Sequence, residues 1–63
     1  MTNMTQKEAL ELRQWVREVN ALGEQFGFED MAGTPDAPDA EYVERWREGE
    51  TPEEVIAEDF RDA

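Results

Sequence analysis

The sequence predicts an all-α fold, a small three-helix domain with one long N-terminal helix and two short acidic helices. Two start signals and one helix-breaking stretch carry that expectation. Thr5-Gln-Lys-Glu8 and Thr51-Pro-Glu-Glu54 both have the form of a capping box, in which a Thr hydroxyl and a Glu carboxylate exchange hydrogen bonds with each other's backbone. Between them, Gly33, Pro35 and Pro38 break regular structure over residues 27–38. Sixty-three residues make one domain at most, near the lower limit for folding without a metal or disulfide.

The first helix is expected over about 5–26. Leu12, Trp15, Val16, Val19, Leu22 and Phe26 recur at three- and four-residue steps and fall on one face. Gly27 suits a left-handed terminator, with Phe28 folding back over the last turn. Gly23 inside the helix costs about 1 kcal/mol relative to Ala and marks a kink or a close approach by another helix. Leu10 and Ala21 project to the opposite side, beside Arg13, Gln14 and Arg17. They are either ordinary exposed apolar residues or, with Arg17, a self-association stripe that a homodimer covers.

The connection holds Met31, expected to pin the loop to the core, and Asp36 or Asp39 as a cap for the second helix. The acids Asp36, Asp39 and Glu41 lack the spacing and the Gly of a calcium loop, so no metal site is expected. The second helix is expected over about 39–48, ending at Gly49, with Tyr42, Val43 and Trp46 on one side and Glu41, Glu44 and Glu48 opposite. The third is expected over about 52–62. Its start has a Thr cap, Pro at the first helical position and an acid at the box position. Val55, Ile56 and Phe60 then face the core while Glu54, Glu58 and Asp62 face outward beside Arg61. The link Gly49-Glu50 is short enough to make the two acidic helices a tight corner.

Composition narrows the chemistry. The chain has no Cys, His or Ser. A disulfide, a thiolate metal site, the usual neutral-pH base and the members of hydrolase triads are all missing. The expectation is a protein that is not an enzyme and carries no cofactor. Seventeen acids face six bases, for a net charge of −11. Such a field repels nucleic acid and anionic membranes and attracts basic protein surfaces. No apolar run approaches membrane-spanning length and no signal peptide is visible, so a cytoplasmic protein is expected.

The charge is also lopsided. Residues 1–28 hold four acids against three bases, and residues 29–63 hold thirteen against three. A disordered acidic tail is one explanation, but Tyr42, Val43, Trp46, Val55, Ile56 and Phe60 at helical spacing argue for a folded acidic face. Carboxylates one turn apart cost a few tenths of a kcal/mol per pair. A rigid line of them can occupy a groove that otherwise grips phosphates, returning charge-assisted hydrogen bonds to its Lys and Arg.

In length, charge and helical make-up the whole chain resembles the small acidic inhibitors carried by phages and other mobile elements. These are the anti-CRISPR and anti-restriction proteins, several of which imitate DNA. The resemblance implies a stoichiometric inhibitor seated in the nucleic-acid channel of a host defence complex, inside the host cell. The residues themselves single out Glu41, Glu44, Glu48, Glu54 and Glu58 as principal contacts, with Glu50, Glu53 and Asp62 as rim. The alternative is an antitoxin-like or assembly module docking through Trp15 and Trp46 or the Leu10 stripe. On that reading acidity serves solubility or a salty cytoplasm.

Overall fold

The computed structural model describes residues 4–61, which form three helices: α1 (Gln6–Glu24), α2 (Ala40–Arg47) and α3 (Pro52–Phe60). The all-α class and the long-short-short order match the expectation. Both capping boxes are complete. Thr5 Oγ1 accepts from the Glu8 N–H at 3.1 Å while Glu8 Oε1 accepts from the Thr5 N–H at 3.0 Å; Thr51 and Glu54 repeat the exchange at 3.1 and 2.9 Å.

α1 lays Leu12, Trp15, Val16, Val19 and Gly23 into the core, and α3 answers with Pro52, Val55 and Ile56. These two helices make the main packing. α2 lies more shallowly, with Tyr42, Val43 and Trp46 half-buried against the same core. The corner between α2 and α3 is pinned from below: Trp15 Nε1–H donates to the Glu50 carbonyl oxygen at 2.8 Å. Trp15 is therefore a core residue with its polar edge satisfied, and offers no docking surface.

Phe26 departs from its expected place in the buried face. α1 closes at Glu24 because its last turn tightens: Gln25, Phe26 and Gly27 donate to carbonyls three residues back, and Gly27 turns the chain at φ +88°. Phe28 N–H then reaches the Gly23 carbonyl at 3.1 Å, the fold-back that the sequence predicts. Phe26 leaves the core direction and stays 53% exposed. It covers one ring face by stacking on Phe60, centroids 4.4 Å apart at 10°.

Gly23 marks a close approach, made by a loop side chain instead of a helix. A Cβ there would lie 3.0 Å from Met31 Sδ and 3.3 Å from Met31 Cβ, so the missing methyl is the seat of the loop anchor. Asn20, buried in mid-helix, clamps the same loop. Its Oδ1 accepts from the Ala32 N–H and its Nδ2 donates to the Gly33 carbonyl, both at 2.8 Å. Ala32 is thereby drawn into the core. Beyond it the chain makes a tight loop in which a Cβ on Gly33 would sit 2.7 Å from both the Ala37 oxygen and the Asp39 nitrogen. Asp39 leaves this loop as the cap of α2, accepting from the Glu41 N–H at 3.2 Å.

Candidate partner-binding surface

Helical phase and the α2–α3 corner together set out the carboxylates. Glu41, Glu44 and Glu48 on α2, and Glu53, Glu54 and Glu58 on α3, are all exposed. Asp62 lies outside the described residues. Glu48, Glu50, Glu54 and Glu58 share one electrostatic neighbourhood around the corner. Glu50 reports it: loss of hydration first, then the charges of Glu58, Glu48 and Glu54, push its carboxyl above the ordinary glutamate range, with Arg45 pulling the other way. Its Oε1 is shielded from solvent and has no hydrogen-bond partner among the described residues. Glu50 is thus half-buried at the centre of the corner, whereas rim residues are open.

The acids are not equally available. Glu54 spends Oε1 on the Thr51 N–H, and Glu41 lies 4.0 Å from Arg45. Glu44, Glu48, Glu53 and Glu58 have no salt bridge or side-chain hydrogen bond within the described residues. These four are the carboxylates best placed to meet an incoming cation.

What holds the two acidic helices together is a residue that periodicity leaves unassigned. Asp59 accepts from Tyr42 Oη at 2.8 Å with one oxygen and from Arg45 Nη1 at 3.0 Å with the other. The Arg45 guanidinium also lies 5.1 Å from the Tyr42 ring centroid. Burial and the Asp59 bond push the Tyr42 hydroxyl up to about 12. For Arg45, burial works against the charge, but the contact with Asp59 outweighs it and raises the pKa. No short-range signal could have found this triad, since its partners lie 14 and 17 residues apart.

On the far side, Leu10 is 65% exposed, and Arg17 and Ala21 are exposed with it. Leu10 edges a shallow recess with Gln6, Ala9 and Arg13. Arg13 in turn reaches Asp36 across the loop at 3.0 Å. Among the described residues no three Asp or Glu side chains come together as a metal ion requires, and no helix is long and apolar enough to cross a membrane. Comparison with protein-family models, curated proteins and solved structures returns no match.

Proposed function

We propose that this protein is a non-catalytic acidic binder that blocks a basic, nucleic-acid-binding surface of another protein. The resemblance to small phage inhibitors points to a host defence complex as the partner class and the host cytoplasm as the setting. One observation carries the reading: α2 and α3 are tied by Asp59 to Tyr42 and Arg45, while Glu44, Glu48, Glu53 and Glu58 stay exposed and uncommitted. A preorganised line of charge gives up less entropy on binding than a flexible acidic strand. The cost of holding like charges together is recovered when a basic groove neutralises them.

The test is capture of the partner from host lysate, followed by competition with duplex DNA or RNA for the captured protein. Occupancy should be mutually exclusive, and affinity should fall steeply between low and moderate salt. Replacing Glu44 and Glu48 with Lys should weaken binding by about tenfold or more while helix content is kept. Affinity that survives this reversal removes the proposal. The half-exposed Phe26 and Phe28 favour a second reading, an antitoxin-like or assembly module docking through apolar residues, and salt-insensitive binding belongs to it.

A further inference from the structure

The second surface lies where the C-terminal ends of α1 and α3 meet. Phe26 and Phe28 follow α1, Phe60 is the last residue of α3, and the three rings pack together. The Phe26 and Phe60 centroids are 4.4 Å apart, those of Phe28 and Phe60 5.2 Å at a 49° tilt. Phe26 and Phe28 are nonetheless 53% and 51% exposed. Beside them a recess of about 350 Å³ is lined by Glu24, Gly27, Phe28 and Glu29.

Apart from Arg61, the charges next to these rings in the chain are negative. A helix C-terminus carries roughly half a negative charge. Two such ends converge here, and neither α1 nor α3 has a base in its last turn. Glu24 and Glu29 add full charges at the recess wall. Arg61, the C-cap of α3, is the one base that either helix end carries. Phenyl faces add the negative side of their quadrupole. A second copy of this chain meeting the cluster through the same face would bring the same charges and be repelled, and so would a phosphate backbone.

We infer that the Phe26–Phe28–Phe60 cluster, with Glu24 and Glu29, is a docking site for an extended segment of a partner protein bearing an arginine between apolar residues. The guanidinium stacks on the Phe28 face and pairs with Glu24 and Glu29, and the flanking apolar side chains cover Phe26 and Phe28. Arginine suits the site better than lysine because its planar, weakly hydrated head can stack and pair at once. The site uses none of the carboxylates of α2 and α3 and does not depend on their role.

The probe is a blocked peptide, acetyl-Ala-Leu-Arg-Leu-Ala-amide, titrated into the ¹⁵N-labelled protein at low salt. Its citrulline counterpart keeps the shape and removes the charge. Amide shifts should be confined to residues 24–29 and the end of α3, and the arginine peptide should bind about tenfold more tightly than citrulline. Phe28→Ala and Glu24→Gln/Glu29→Gln should each weaken it by about fivefold, with helix content unchanged because these side chains are exposed. Glu44→Lys/Glu48→Lys should leave it unaltered, which separates this site from the acidic face. Equal binding of the two peptides, shifts centred on α2, no localised shifts at millimolar peptide, or concentration-dependent dimerisation lost in Phe28→Ala would each overturn the inference.

Discussion

Glu50 is the residue at which the electrostatic cost of the corner is concentrated. Its carboxyl lies above its ordinary value of 4.5, raised by lost hydration and by Glu58, Glu48 and Glu54. The folded state therefore prefers this group protonated. That preference is satisfied below the ordinary glutamate pKa and is lost as pH rises through the raised one, so at neutral pH the ionised group works against folding. Glu50→Gln should raise the melting temperature at pH 7, and the gain should shrink to nothing as pH falls through the glutamate range. Calorimetry at several pH values checks it; a variant less stable than the parent at pH 7 would mean that the carboxylate has a partner stronger than its repulsions. The Glu50 backbone does different work from its side chain, since its carbonyl receives the Trp15 indole. Substitution leaves that bond in place.

At the scale of elements, what could be read from the sequence divides by distance along the chain. Both capping boxes and the Gly27 terminator are legible because their chemistry closes within a few residues, and the apolar spacing of α1 gives its buried face directly. The Asn20 clamp and the Asp59 tie are not legible, because their partners lie 12 to 17 residues away and depend on how the helices meet. Phe26 shows the opposite limit. Periodicity carries one residue too many when the final turn tightens, and a ring expected in the core becomes half-exposed. Five acids are legible as outward-facing, and the capping box already ties Glu54 to Thr51; the contact left unassigned is that of Glu41 with Arg45, 4.0 Å apart and one turn along α2. The Asp59 tie decides whether α2 holds its place, since none of its residues is fully buried. Asp59→Ala should cost about 1 kcal/mol by removing the Tyr42 hydrogen bond and the closer of the two carboxylates beside Arg45. Amide exchange should then speed up in α2 while α1 stays protected. Uniform exchange changes in all three helices would show that α2 has no separate dependence on the tie.

The whole molecule carries −11 on 63 residues, and the question at this scale is whether that charge acts as a general field or a local one. α1 nearly balances its charges, while the α2–α3 corner gathers acids whose mutual repulsion already shows at Glu50. Reversing one acid on each surface separates the two cases. Glu11→Lys and Glu58→Lys change net charge equally, and both positions are exposed. If repulsion is local, Glu58→Lys should gain a few tenths of a kcal/mol or more at low salt and Glu11→Lys almost nothing. Salt near 1 M, where the screening length falls to about 3 Å, should erase the difference. Urea midpoints across a sodium chloride series measure this without the denaturant itself contributing ions. Equal gains from the two reversals would mean a field spread evenly over the molecule, a surface suited to solubility and not to one partner. Unequal gains that vanish with salt would mean that the corner stores repulsion which a cationic groove can relieve, and that stored repulsion is the thermodynamic requirement of an acidic binding face.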